Sequence, residues 1–174
     1  MCGIVSYIGN KNALPIILEG LQRLEYRGYD SAGIFIRNEK EEKILRVADK
    51  VKKLKKLCKE VGTKNAYTFG MGHTRWATHG KPNKQNAHPH QSNNGELIMI
   101  HNGIIENYET LKTELLARGY TFKSDTDSEV LINLFEEIQK TKNLSLEEAV
   151  KIGLNKVVGA YGIVVYDGTG TAAS

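Results

Sequence analysis

Two periodicities of apolar residues run along the chain, and together they predict a mixed structure. Short apolar runs predict strands at residues 3–8, 34–37, 44–47, 67–73, 97–101 and 160–166. Apolar residues at helical spacing predict helices at residues 13–24, 50–61, 107–117 and 126–140, with a further helix after Ser145. Because both types of element are abundant, the pattern predicts the α+β class with mainly antiparallel strand pairing.

Turn and cap residues refine this prediction. The charged segment 38–43 lies between two predicted strands and indicates a hairpin. Thr126 and Ser145 are each followed three residues later by a glutamate, Glu129 and Glu148 respectively, which is the spacing of a capping box. We therefore expect two well-capped helices in the second half of the chain.

The helix predicted at 50–61 has Val51, Leu54, Cys58 and Val61 on one face and lysines around the rest. This pattern is typical of a surface helix with a solvated basic face, which we favour over a polyanion site. Cys58 falls on the apolar face, so we expect it to be a core residue without chemistry.

Composition limits the classes of function. The 174 residues carry a net charge of +4, with 40% hydrophobic and 25% charged residues, which suits one globular domain with a real core. No apolar run approaches the ~20 residues of a membrane helix, and the N-terminus lacks a signal-peptide pattern. Two cysteines make no disulfide framework, which indicates the reducing cytoplasm. The charge balance calls for neither nucleic acid nor a membrane as a partner.

The first candidate for chemistry is Cys2, which directly follows the initiator Met1. Removal of Met1 would leave a thiol and a free α-amine on one residue. The amine titrates at roughly 7.7–8.0 and a thiol near 8.5, so the amine can take the thiol proton, directly or through a water. Gly3 would allow the backbone to approach closely beside this nucleophile. A cysteine at position 2 is also compatible with no function at all.

A second candidate is segment 72–80, which leaves a predicted strand and enters a long polar loop. Arg75 offers a planar fork that matches a carboxylate. Thr78 can add a hydroxyl group, and Trp76 is large enough to cover a small ligand. A surface ion pair with a half-buried tryptophan is the alternative interpretation.

A third candidate lies where a predicted strand runs into a helix, in segment 101–108. The Asn102 amide and the Gly103 N–H form a donor pair suited to a developing oxyanion, although Asn-Gly is also common in ordinary turns. Asp127 lies beside a helix start, where a carboxylate is often only a cap. Together the three candidates supply what glutamine hydrolysis needs: a nucleophile, oxyanion donors, a cation for the α-carboxylate and an anion for the α-ammonium.

Four segments, 2–5, 24–33, 73–80 and 101–108, resemble the class II glutamine amidotransferases in the same order along the chain. Within that class they are most similar to the glutaminase domain of the glutamine–fructose-6-phosphate aminotransferase (isomerising) family, in register to about residue 166. The resemblance implies an N-terminal-nucleophile (Ntn) hydrolase fold, a four-layer αββα sandwich of antiparallel sheets. It also implies glutamine as substrate and no cofactor or metal.

The resemblance also assigns roles to residues. Cys2 becomes the nucleophile, with its α-amine as general base, and Asn102 and Gly103 form the oxyanion hole. Glutamine is bound by Arg75, Trp76, Thr78, His79, Gly103 and Asp127. Arg27 and Tyr29 match a segment that lies near the nucleophile.

The chain departs from the family near its end. Segment 168–174 is a low-complexity stretch that does not resemble the family's continuation, and we expect it to be frayed. We therefore expect residues 1–167 to form a partial glutaminase domain, with a sandwich incomplete at the C-terminus. The family's sugar-isomerase domains are absent from this chain, and a homo-oligomer is expected only through those missing domains. Ammonia made here would have no acceptor on the same polypeptide.

Two alternatives stay open at this level. A truncated domain could be a catalytically silent interaction module. A metal-dependent hydrolase is suggested by five histidines in one stretch, although their spacings fit no common ligand motif; they are His73, His79, His88, His90 and His101.

Overall fold

The computed structural model describes residues 2–28, 30–60, 66–77 and 81–168, together with the backbone of 172–173. The chain divides into two compact units, residues 1–89 and 90–174, a division that the composition did not predict. We call them the N-terminal unit and the C-terminal unit. Within the described ranges, no helix combines the length and apolar character needed to cross a membrane.

The N-terminal unit is built on a four-stranded antiparallel sheet with the strand order β1-β4-β2-β3. Its elements are β1 (Gly3–Ile8), α1 (Ala13–Leu24), β2 (Ser31–Arg37), β3 (Glu42–Val47), α2 (Val51–Glu60) and β4 (Phe69–Arg75). A short 3₁₀ helix, Glu25–Arg27, follows α1 directly. The register places Gly3 opposite Thr74 and Ser31 opposite Arg75, so the starts of β1 and β2 both lie at the end of β4.

Helix α1 forms the core of this unit with the sheet. Ile17 and Leu21 are fully buried with Ile34 of β2 and Leu54 of α2. Burial of each such side chain stabilises the fold by about 1.5–3 kcal/mol. A Cβ atom on Gly72 of β4 would lie 2.5 Å from Ile17 Cγ2, so α1 packs directly on the β4 backbone.

The C-terminal unit contains a second antiparallel sheet, with the order β5-β6-β7-β8. Its elements are β5 (His90–Gln91), β6 (Leu97–Ile105), α3 (Tyr108–Ala117), α4 (Asp127–Lys142), α5 (Leu146–Leu154), β7 (Gly159–Asp167) and β8 (Ala172–Ala173). Helix α4 is the centre of its core, since apolar residues such as Leu131 and Phe135 are fully buried against β6, α3 and α5.

Most predicted elements are confirmed, including the hairpin at 38–43 and the burial of Cys58, which is 2% exposed. Helix α2 ends at Glu60, and residue 61 lies outside the described residues. Several boundaries were wrong. Strand β4 lies two residues later than predicted, β6 continues to Ile105, and β2 begins at Ser31 inside a segment predicted as loop. Strand β3 begins at Glu42, inside the predicted turn, and α4 continues to Lys142. In the predicted tail, Ala172–Ala173 pair with β7.

The capping boxes differ from each other. Ser145 and Glu148 make both reciprocal bonds, as predicted. Thr126 accepts a hydrogen bond from the Glu129 N–H, but the Glu129 carboxylate accepts from the N–H groups of Lys123 and Ser124 instead of from Thr126. The predicted bond from the Thr126 N–H to the Glu129 carboxylate is therefore wrong, because the turn before the helix supplies the donors to this carboxylate.

Candidate active site

The Cys2 sulfur lies against the backbone of Trp76. The Trp76 N–H donates to Sγ at 3.2 Å, and the thiol faces the Trp76 carbonyl oxygen at 3.7 Å. The pairing of β1 with β4 produces this contact, and the Gly3 N–H adds a bond to Thr74 Oγ1 at 3.2 Å. The end of β4 therefore holds the nucleophile candidate in a fixed position.

Two glycines let neighbouring segments approach this point. A Cβ atom on Gly3 would lie 2.8 Å from both Leu24 Cβ and Thr74 Oγ1, which confirms the close approach predicted there. A Cβ atom on Gly28 would lie 2.8 Å from the Arg75 carbonyl carbon and 2.9 Å from the Trp76 nitrogen. The segment after α1 thus packs on the same stretch of backbone that holds Cys2.

Burial raises the pKa of the Cys2 thiol. The hydrogen bond from the Trp76 N–H and the positive charge of Arg75 oppose this rise, whereas the Asp30 carboxylate adds to it. Burial raises the pKa of the Cys58 thiol to about 11, although a backbone hydrogen bond acts in the opposite direction. Of the two cysteines, Cys2 is the one whose sulfur accepts an N–H from a distant part of the chain and whose pKa is lowered by nearby positive charge.

Arg75 is the last residue of β4 and is only 4% exposed. Its Nη1 donates to the Lys81 carbonyl at 3.5 Å. A buried guanidinium at a strand end is a strong site for an anionic group. The neighbouring Trp76 has 48% of its surface exposed, so it is available to cover a ligand.

In the C-terminal unit, Asn102 and Gly103 lie in β6 opposite Gly162 and Tyr161 of β7. Gly103 has φ +136°, a backbone conformation that L side chains rarely adopt. A Cβ atom there would lie 1.9 Å from the Ala160 carbonyl oxygen. Only glycine fits this position.

Asp127 is the first residue of α4 and is 4% exposed. Its Oδ2 accepts a hydrogen bond from the Ile105 N–H at 2.8 Å, and the Ser128 hydroxyl lies 3.5 Å from Oδ1. Because Ile105 is two residues beyond Gly103, this bond attaches the carboxylate to the same strand as the Asn-Gly pair. The C-terminal unit therefore gathers three of the predicted site residues, Asn102, Gly103 and Asp127.

His101 precedes this pair and lies against the same helix start. Its Nδ1 is 2.8 Å from the Ser128 hydroxyl. Burial lowers the pKa of His101, and the charge of Asp127 acts in the opposite direction. With its pKa below the ordinary value, the imidazole is mainly neutral at pH 7.

The remaining predicted residues have different outcomes. Arg27 is exposed in the 3₁₀ helix, with its guanidinium 5.9 Å from the centre of the Tyr26 ring. Tyr29, Thr78 and His79 lie outside the described residues.

Sequence reasoning missed three polar groups beside the predicted residues. Thr74 holds the Gly3 N–H, Asp30 accepts from the Ala77 N–H at 2.6 Å, and Ser128 contacts both His101 and Asp127. A signal existed for Thr74, since a hydroxyl inside a buried strand needs a hydrogen-bond partner. Asp30 and Ser128 resembled ordinary turn and helix-start residues.

The metal-hydrolase alternative gains no support from the described residues, among which no group of three or more His, Cys, Asp or Glu could hold an ion. His73 and His88 stack with their ring centres 4.1 Å apart. His90 and His101 each contact a hydroxyl group at the start of α4, at 3.1 and 2.8 Å. His79 is outside the described residues.

We predict that iodoacetamide at pH 8 alkylates Cys2 much faster than Cys58. Cys58 is 2% exposed and its pKa is about 11, so only roughly one part in a thousand is thiolate at this pH. Peptide mass spectrometry after timed labelling measures both rates in one sample. Equal rates in folded protein would contradict the assignment of Cys58 to the core.

A family model described as glutamine amidotransferase domain matches residues 58–172. The chain is 53% identical over 167 residues to glutamine–fructose-6-phosphate aminotransferase [isomerizing] of Chlorobaculum tepidum, covering 95% of this chain and 27% of that protein. The protein of the same name from Bacteroides thetaiotaomicron is 49% identical over 168 residues, with coverages of 96% and 27%. The chain thus spans about 27% of the length of these relatives.

Solved structures show the same fold. Glutamine phosphoribosylpyrophosphate amidotransferase from B. subtilis has a TM-score of 0.79 at 25% identity, covering 97% of this chain and 35% of that one. A structure of the allosteric regulatory enzyme of purine biosynthesis has a TM-score of 0.80 at 24% identity, covering 97% of this chain and 36% of that one. Together with the two antiparallel sheets and their helices, these similarities confirm the Ntn-type α+β fold.

Proposed function

The chain belongs to the glutamine amidotransferase domain family, and we propose that it hydrolyses glutamine to glutamate and ammonia through a thioester on Cys2. The observation that carries this proposal is the fixed Cys2 sulfur, which accepts the Trp76 N–H at 3.2 Å with the charge of Arg75 acting on it. The other cysteine of the sequence is buried in a core helix face.

The proposed reaction begins after Met1 has been removed. The free α-amine of Cys2 takes the thiol proton, and the thiolate attacks the side-chain amide carbon of glutamine. The same amine then returns the proton to the departing ammonia, leaving the thioester. Water hydrolyses the thioester to glutamate and restores the thiol.

Charge on the amide oxygen develops in both steps. We assign its stabilisation to the Asn102 side chain and the Gly103 N–H. The conformation of Gly103 supports this role, because a backbone held at φ +136° directs its amide differently from a regular strand residue. Such a fixed donor does not need to reorganise during the reaction.

The two charged ends of glutamine require opposite charges. We assign the α-carboxylate to Arg75, with help from Thr78 and His79, and the α-ammonium to Asp127 with the Gly103 carbonyl. The burial of both Arg75 and Asp127, at 4% exposed each, supports these roles because ion pairs strengthen where water is scarce. Trp76 is proposed to lie in the segment that closes over glutamine, and Arg27 and Tyr29 to support the nucleophile.

The names of the curated relatives point to the use of the ammonia. We propose that, in a full-length protein of this kind, ammonia from this domain converts fructose 6-phosphate to glucosamine 6-phosphate in the cytoplasm. Sugar-isomerase domains would then be the partners of this domain. The residues of this chain alone are expected to produce glutamate without amino sugar when both substrates are supplied.

Intact mass combined with glutamine turnover tests the proposal. Active protein is expected to begin at Cys2, since retained Met1 would convert the α-amine into an amide that cannot act as a base. A glutamine-like electrophile should add once, at Cys2. Full activity with Met1 still attached would refute the mechanism, and folded protein that lacks Met1 but resists the electrophile would indicate a silent module.

Arg75→Lys is predicted to raise KM for glutamine about tenfold to hundredfold with a smaller effect on kcat. Lysine keeps the charge but loses the planar fork, and a hydrogen bond to a charged group contributes roughly 1.5–3 kcal/mol. Steady-state kinetics measures the change. Arg37→Lys is the matched control on β2, where Arg37 pairs with Glu42 at 3.3 Å in an exposed setting. A change in kcat alone would show that Arg75 does not bind the carboxylate.

A further inference from the structure

Asp30 connects to both sides of the residue that holds the Cys2 sulfur. Its backbone N–H donates to the Arg75 carbonyl at 3.2 Å, and its Oδ2 accepts from the Ala77 N–H at 2.6 Å. Trp76, whose N–H donates to Cys2 Sγ, lies between those two residues in the chain. The Asp30 carboxylate and the Cys2 sulfur are therefore bound by consecutive backbone N–H groups.

The second carboxylate oxygen of Asp30 is different. Oδ1 is buried, and among the described residues it has no hydrogen-bond partner. Buried polar atoms are almost always hydrogen-bonded, so a carboxylate oxygen without a partner in this place indicates a donor that binds here in the active protein. The negative charge of Asp30 acts on the Cys2 thiol, which places the carboxylate within electrostatic reach of this residue.

We propose that Asp30 is a positioning residue for the α-amine of Cys2, whose N–H donates to Asp30 Oδ1 once Met1 has been removed. This inference rests on the proposed function, because it concerns the general base of that reaction. Loss of Met1 creates a new donor on the residue that Trp76 already anchors. An acceptor on one side of the amine directs its lone pair towards the thiol and stabilises the ammonium that forms when the proton is transferred.

The charge of Asp30 also sets the pH at which the base works. A carboxylate beside an amine favours the protonated form and raises the pKa of the amine. The amine must be neutral to accept the thiol proton, so activity rises as pH passes above that pKa. Removal of the charge lowers the pKa of the amine and, since Asp30 also raises the thiol pKa, lowers that of the thiol. Both changes move the acid limb of the rate profile to lower pH.

Asp30→Asn separates this role from a structural one. Asparagine retains an oxygen that can accept the Ala77 N–H but carries no charge. We expect kcat to fall about tenfold to hundredfold and the acid limb of the kcat/KM profile to move down by about one pH unit. Asp49→Asn is the control, because Asp49 is exposed in the same unit and its carboxylate accepts from the N–H of the next residue at 2.7 Å. If folded Asp30→Asn protein had the same kcat and the same acid limb of the kcat/KM profile as the parent protein, the proposal would be overturned.

A second measurement does not depend on turnover. The nitrogen-15 chemical shift of the Cys2 α-amine, followed against pH by NMR, gives the amine pKa in protein that begins at Cys2. We expect a value about one unit lower in Asp30→Asn than in the parent and Asp49→Asn proteins. Equal values in all three would refute the contact even if glutamine is hydrolysed. A lower value in protein without glutaminase activity would support the contact while refuting the proposed function.

Discussion

Cys2→Ala is expected to abolish glutamine hydrolysis and leave the fold intact. The sulfur makes its contacts with the Trp76 backbone at the edge of the sheet, outside both apolar cores of the chain. Removal of the nucleophile from a comparable hydrolytic site costs on the order of 10⁶-fold in kcat. The free energy of unfolding should change by less than about 1 kcal/mol, since the sulfur contacts that are lost, both to the Trp76 backbone, are partly exposed. Glutamate release and urea unfolding measure the two quantities.

Cys58→Ala is the matched control for that substitution. Cys58 is 2% exposed beside Val51 and Leu54, so its truncation leaves a small gap and lowers stability by about 1 kcal/mol. Its effect on kcat should be absent. Equal loss of activity in the two variants, with both still folded, would show that the nucleophile has been assigned wrongly. Retained activity in Cys2→Ala would refute the thioester mechanism itself.

The local pattern of apolar residues predicted an element well where only one face of that element is apolar. The bounds of α1 follow from Leu14, Ile17, Leu18 and Leu21, all of which face the core. Strand β6 was predicted only over its apolar part, to residue 101, because Asn102 and Gly103 have low strand propensity. Pairing with β7 extends it to Ile105, and this pairing is a tertiary effect that a local pattern does not contain.

The candidate site shows a similar limit. The chemical roles of Cys2, Arg75 and the Asn-Gly pair could be predicted from the sequence, because each has a distinctive side chain or backbone. The relative positions of the site residues could not be predicted, because the contact between Cys2 and Trp76 joins residues 74 positions apart through the β1–β4 register. Asp30 was missed for the same reason: its carboxylate resembles that of any turn residue until the strand pairing places it beside Ala77.

Gly103→Ala is expected to have the second large effect, on both stability and rate. The backbone at φ +136° is strained for alanine, and its Cβ would lie 1.9 Å from the Ala160 carbonyl oxygen. A backbone oxygen in a strand pair cannot move without breaking the β6–β7 hydrogen bonds. Strain and overpacking together should cost about 2–5 kcal/mol in the free energy of unfolding. Displacement of the Gly103 N–H should lower kcat about 10²–10³-fold.

Gly162→Ala is the control that isolates this effect, because Gly162 lies opposite Asn102 in the same strand pair. A Cβ atom there meets nothing within 4 Å, and its backbone lies outside the left-handed region, so its stability should change by less than about 0.5 kcal/mol. Urea unfolding measures the stability of each variant, and kcat is measured under conditions in which that variant is still folded. Together the two measurements separate misfolding from loss of the oxyanion donor. Asn102→Ala removes the other donor without backbone strain and should lower kcat about 10²–10³-fold. If Gly103→Ala matched Gly162→Ala in both measurements, the oxyanion donor would have to lie elsewhere in the chain.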